Sequence, residues 1–157
     1  MISAMAFTMI FALFAPLSLF APLAAASLID CGSAFPVNHL AVDPPSAVAV
    51  NQMVRMHGAF YVPEAVLNGT VHTKVSMNFV NVFESTESLC SHVDCPLEAG
   101  HQTLNRTAHF PPDLWGRVRM TFQFYDQVKR PFLCLQYNVF ATGAANNHTG
   151  WLGFLAA

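Results

Sequence analysis

Two cysteines with four residues between them, in Leu89-Cys90-Ser91-His92-Val93-Asp94-Cys95-Pro96-Leu97, carry the most pointed chemical signal in the chain. A redox or zinc pair usually has two residues between its cysteines, so this spacing suits a small disulfide loop instead. The only other cysteines are Cys31 and Cys134. If Cys90 bridges Cys95 locally, Cys31 is left for Cys134, although four cysteines allow three connectivities. Closing a loop of about 100 residues is worth up to ~4.7 kcal/mol by the chain-entropy account, and the short loop less.

Other reactive side chains form no recognisable constellation. The seven histidines (His39, His57, His72, His92, His101, His109 and His148) show neither H-x-x-x-H nor H-E-x-x-H spacing. They read as surface histidines, and no metal site is expected, though protonation in an acidic compartment could tune docking to a membrane. Ser33 lacks the G-x-S-x-G setting of a nucleophile elbow. Asp113 and Asp126 fall in turns and read as turn formers. Arg117 with Arg119, and Lys129 with Arg130, could meet anionic head groups but read first as solvated strand faces and turns. The expectation is therefore no catalytic residue, no cofactor and no enzyme.

These residues sit on an exported chain. No charged side chain occurs from Met1 to Ile29, apolar residues dominate from Ala4 to Ala26, and Ala24-Ala25-Ala26-Ser27 supplies an A-x-A cleavage signal. The reading is a signal peptide over residues 1–26. An uncleaved anchor is the rival, disfavoured by Pro16, Pro22 and the cleavage-like end. The sequons at Asn68, Asn105 and Asn147 agree with export and mark expected glycan sites on exposed turns. About 131 residues remain after cleavage, enough for one domain with its own core. Net charge is −2 and a tenth of the residues are charged, with no basic block, so nucleic acid is not expected as a partner.

The elements that must position these groups are strands. Val71, Thr73, Val75, Met77 and Phe79 alternate with His72, Lys74, Ser76 and Asn78. Val118, Met120, Phe122 and Phe124 alternate with Arg117, Arg119, Thr121 and Gln123. Period-two alternation marks strands with one buried face. Leu133, Leu135, Tyr137 and Val139 repeat it; Leu104, Ala108 and Phe110, and the stretches 37–42 and 50–62, do so more weakly. Turn residues separate them at Asp43-Pro44-Pro45, Asn68-Gly69, Phe110-Pro111-Pro112-Asp113 and Lys129-Arg130-Pro131. Six or seven such strands predict an all-β, immunoglobulin-like sandwich of two antiparallel sheets.

Taken in order, Asp30-Cys31-Gly32-Ser33, Leu89-Cys90 through Cys95-Pro96-Leu97, and Val118 to Asp126 running into Phe132-Leu133-Cys134 resemble the ML, or lipid-recognition, domain family. That family includes the soluble Niemann–Pick type C sterol carrier and phosphatidylglycerol/phosphatidylinositol transfer proteins. The resemblance spans about residues 30–140, and the domain is placed at residues 27–141, with a tail of unknown role over residues 142–157. It implies pairing of the first and last cysteines and of the Cys-Pro loop cysteines, matching the pairing above. Two features depart from the family. The sterol carrier's further disulfide is replaced by Asp43-Pro44-Pro45-Ser46, and the apolar tail through Trp151 to Leu155 has no counterpart.

The resemblance further implies an apolar cavity between the sheets, holding a sterol or phospholipid. Burying roughly 400 Å² of apolar ligand gains about 10 kcal/mol over water, and a bilayer offers a similar gain, which suits transfer rather than trapping. An entrance is expected near Phe83, Phe110, Leu114 and Trp115, and a lining from Val75, Met77, Phe79, Leu97, Met120, Phe122, Leu135 and Tyr137. The implied function is a lipid-binding or transfer protein, secreted or in an endosomal, lysosomal or vacuolar lumen. It would act as a monomer with transient membrane contact and a membrane-protein acceptor. The alternatives are a lipid-recognition co-receptor in innate immunity and a ligand-free immunoglobulin-like interaction module.

Overall fold

The computed structural model describes residues 25–142. Most of the leader and of the tail, with Asn147 and His148, therefore lies outside the described residues. Nine strands follow in chain order: β1 (Ser27–Asp30), β2 (Val37–Asp43), β3 (Val48–Ala49), β4 (Met53–Val62), β5 (Gly69–Met77), β6 (Val80–Ser88), β7 (Gly100–His109), β8 (Gly116–Asp126) and β9 (Pro131–Thr142). The larger sheet runs β1-β9-β8-β5-β6 and the smaller β2-β4-β7. Every pairing is antiparallel except that β3 adds to β9 in parallel.

The inner face of the larger sheet follows from alternation and register. Leu28 stands opposite Tyr137, Tyr137 opposite Met120, Met120 opposite Val75 and Val75 opposite Phe83, one row across five strands. A second row sets Leu135 beside Phe122 and Phe122 beside Thr73. The smaller sheet turns Val54, Met56, Phe60 and Val62 of β4 and Leu104, Arg106 and Ala108 of β7 away from water. One apolar core fills the space between the two faces.

The pairing Cys31–Cys134 ties the end of β1 to β9, and Cys90–Cys95 closes the small loop between β6 and β7. That loop opens with one 3-10 turn, Leu89–Ser91, whose Leu89 is fully buried. Bonds between Val66 and Leu97, each 2.9 Å, anchor its far end. At the β8–β9 turn, Asp126 accepts from the Val128 amide at 2.9 Å and from the Arg130 amide and Nε at 2.8 Å each.

β6 was not foreseen from the sequence. Its outer positions are polar and its inner ones include Ser85 and Glu87, so the edge strand carries too few apolar residues to show a period. The alternation of β5 ends at Met77: Asn78 and Phe79, with φ of 49° and 72°, form the two-residue turn into β6.

Candidate functional site

A cavity of about 50 Å³ lies between the sheets. Leu28, Val71, Phe122, Phe124 and Leu135 line it from the larger sheet, and Met56, Leu104, Arg106 and Ala108 from the smaller, with His92 closing the set. It is apolar but narrow, since pockets for drug-sized ligands occupy ~300–1,000 Å³.

The two edges of the sandwich are held differently. At one edge β1 and β2 lie against one another. At the other, the edge strands β6 and β7 are joined through side chains: Glu87 of β6, His92 of the disulfide loop and Arg106 of β7. Arg106 Nη2 lies 2.8 Å from His92 Nδ1, and His92 Nε2 lies 3.0 Å from Glu87 Oε2. A guanidinium only donates, so Nδ1 accepts and the imidazole proton sits on Nε2, which donates to the carboxylate. The His92 side chain is only 9% exposed. Burial first, and then the Arg106 charge, lower its pKa against the opposing pull of Glu87.

His92 and Arg106 also line a second, polar groove of about 410 Å³ between the disulfide loop and β7. Ser91, Asp94, Gln102, Thr103 and Asn105 supply its hydrogen-bonding groups, and Leu97 lies against it. The apolar cavity and the polar groove thus meet at the same pair of side chains.

The residues singled out from sequence fall into three groups. Phe122 and Leu135 line the cavity, and Leu97 the groove. Val75, Met120, Tyr137, Phe110 and Leu114 are fully buried in the core, with Met77 and Phe83 half-buried against it. Phe110 and Leu114 are thus interior residues, with the Phe110 amide bonded to the Gln52 carbonyl at 2.8 Å. Phe79 does not continue the inner row: it is 82% exposed, and Trp115 is 47% exposed. The Tyr137 hydroxyl is buried with no hydrogen-bonding partner among the described residues, and burial pushes its pKa up to about 12.

Phe79 and Trp115 share one end of the sandwich. The Asn78 side chain accepts from the Arg117 amide at 3.0 Å and donates to the Trp115 carbonyl at 3.5 Å, holding the β7–β8 connection against the β5–β6 turn. Val80 is exposed there as well. Arg117 and Arg119 face outward on β8 beside this tip, in no ion pair among the described residues.

His92 and Arg106 went unrecognised as site residues because each stands alone in sequence, with no spacing that relates them. Ala108, Leu104 and Val71 were legible only as members of alternating faces. Asn68 and Asn105 are exposed, but Asn105 lies within strand β7 rather than in a turn.

Comparison with known proteins agrees with this geometry. A Dictyostelium discoideum protein, named as a candidate phosphatidylglycerol/phosphatidylinositol transfer protein, is 28% identical over 138 residues, covering 83% of this chain and 97% of that one. Among solved structures, a Niemann-Pick type C2 protein from Japanese carpenter ant superposes with a TM-score of 0.58 at 14% identity, over 74% of this chain and 99% of that one. Chicken MD-1 complexed with lipid IVa gives 0.56 at 13% identity, over 75% and 90%. These two show the shared sandwich fold. The sequence pattern of the ML domain matches residues 25–141. The chain belongs to the ML domain family.

Proposed function

We propose that the protein is a lipid carrier that holds the apolar part of a sterol or phospholipid between its sheets. The observation that carries this is the apolar cavity itself, lined from both sheets and bounded by His92 and Arg106. The name of the Dictyostelium relative and the lipid bound to chicken MD-1 support it. Enclosure needs no bond to be made or broken, so the reading is of a binding protein and not an enzyme.

The setting is an oxidising, exported one, secreted or lumenal. Both disulfides suit it, and the exposed sequons at Asn68 and Asn105 are placed to carry glycan. Transient membrane contact is assigned to Phe79, Val80 and Trp115, with Arg117 and Arg119 facing anionic head groups. The protein acts as a monomer and passes its cargo to a membrane or a membrane protein.

Lipid extraction followed by mass spectrometry of the protein purified from an exporting cell is the test. The expected result is a co-purifying lipid, and movement of that lipid between liposomes when protein is added. A lipid-free protein that leaves liposome exchange unchanged refutes the carrier.

A further inference from the structure

We infer that the polar groove between the disulfide loop and β7 binds the phosphate-bearing headgroup of the cargo, with the Arg106 guanidinium as its anion ligand. This rests on the carrier reading and adds to it the polar class of the lipid. Three observations support the inference.

The groove and the apolar cavity share His92, Leu104 and Arg106. A molecule filling both must be amphiphilic, with its tail between the sheets and its polar end outside them. Arg106 is the only Lys or Arg among the cavity-lining residues. It is also in no direct ion pair with a carboxylate among the described residues. Among the described residues, the Lys and Arg ion pairs with carboxylates all belong to Arg130, whereas Arg106 rests on a neutral imidazole and on the His92 carbonyl at 3.5 Å.

A guanidinium has five donors in a planar fork, a shape that matches two phosphate oxygens. An imidazole offers it a single acceptor, so a phosphodiester arriving in the groove displaces His92 from Arg106 with a gain in charge-assisted bonds. A sterol hydroxyl offers no such exchange. The groove, at about 410 Å³, exceeds what a bare carboxylate fills. Gln102 and Thr103, with the carboxylate of Asp94, suit hydroxyls on the headgroup rather than a second anion. Release of His92 would also free the side-chain bridge between β6 and β7, coupling headgroup capture to parting of the sheets.

The test loads the full chain from phosphatidylcholine vesicles containing equal amounts of phosphatidylglycerol and diacylglycerol with the same acyl chains. The bound phosphatidylglycerol-to-diacylglycerol ratio is then read by mass spectrometry. Arg106→Gln is expected to lower that ratio about tenfold, the scale of one lost charge-assisted hydrogen bond. Arg55→Gln, an equal loss of charge on the exposed face of β4, leaves the ratio as in the wild type. Arg106→Lys keeps the charge without the fork and is expected to fall between. It carries the test if Arg106→Gln does not fold, and a wild-type ratio in Arg106→Lys then overturns the role of the guanidinium.

An unchanged ratio in a folded Arg106→Gln overturns the inference and leaves the carrier standing. A wild-type protein that takes up no lipid at all, phosphatidylcholine included, overturns both. Inorganic phosphate titrated alone, followed through the His92 ring resonances, separates the two sources of the anion. Saturation at submillimolar phosphate assigns a free-anion site and overturns the headgroup role; no saturation in that range supports it.

Discussion

At the scale of single residues, His92 and Tyr137 are polar groups that the core encloses at a cost. His92 is kept neutral by burial and by Arg106 from β7, against Glu87 from β6, with Asp94 on its own loop. Its folded pKa lies below the ordinary 6.5. The unfolded chain thus takes up a proton before the folded one does. The stability tied to His92 is complete above about pH 6.5 and is lost as the pH falls from there through the lower folded value. Thermal unfolding across that window should show His92→Gln losing less stability on acidification than the wild type, and equal slopes would contradict the assignment. Tyr137 is the converse case, a hydroxyl without a partner. Tyr137→Phe should leave the lipid-free protein as stable or up to about 1 kcal/mol more stable by denaturant unfolding; a loss of stability would show that the hydroxyl is satisfied. Neither role was legible in sequence. A lone His in a loop and a lone Arg on a strand carry no period, and only the crossing from β6 to β7 brings them together.

At the scale of elements, the sequence was clearest where one face is buried and the other wet. β5, β8 and β9 could be read residue by residue because a register slip would turn their apolar sets into water. It was least clear at the edge strand β6 and at the tip of β5, where the alternation reaches Phe79 but the ladder stops at Met77. The turn puts an aromatic side chain at φ 72° and leaves it exposed, two unfavourable choices at one position. Stability alone does not favour that choice, whereas contact with a membrane does. Phe79→Gly should therefore raise stability by about 0.5–1 kcal/mol, since glycine takes positive φ without strain. It should also weaken sedimentation with anionic vesicles several-fold. Unchanged vesicle binding would remove the tip from the docking surface. The β8–β9 turn shows a different logic. Burial works to raise the pKa of Asp126, but the bonds from Arg130 and Val128 and the Arg130 charge outweigh it and leave the carboxylate below its ordinary value.

At the scale of the molecule, the fold was legible because two patterns reinforce each other: period-two strands set the sheets, and the cysteines tie β1 to β9 and close the β6–β7 loop. The order of short motifs around those cysteines reached the family, while the cavity did not follow from any of them. Alternation gives an ordinary packed core and a ligand cavity the same sequence signature, since both need apolar inner faces. What separates them here is three-dimensional. A narrow cavity and a polar groove meet behind the Glu87–His92–Arg106 bridge at the β6/β7 edge, where the disulfide loop crosses from one sheet to the other. The central claim is that lipid enters between the sheets, and Ala108 on β7 gives direct access to it. Ala108→Leu adds three carbons to a cavity of about 50 Å³, a change expected to cost about 1–3 kcal/mol of stability. Native mass spectrometry after incubation with phosphatidylglycerol vesicles should find one lipid per wild-type chain and most of that occupancy lost in folded Ala108→Leu. Equal occupancy in the two proteins, or a wild type that binds no lipid, would contradict the account.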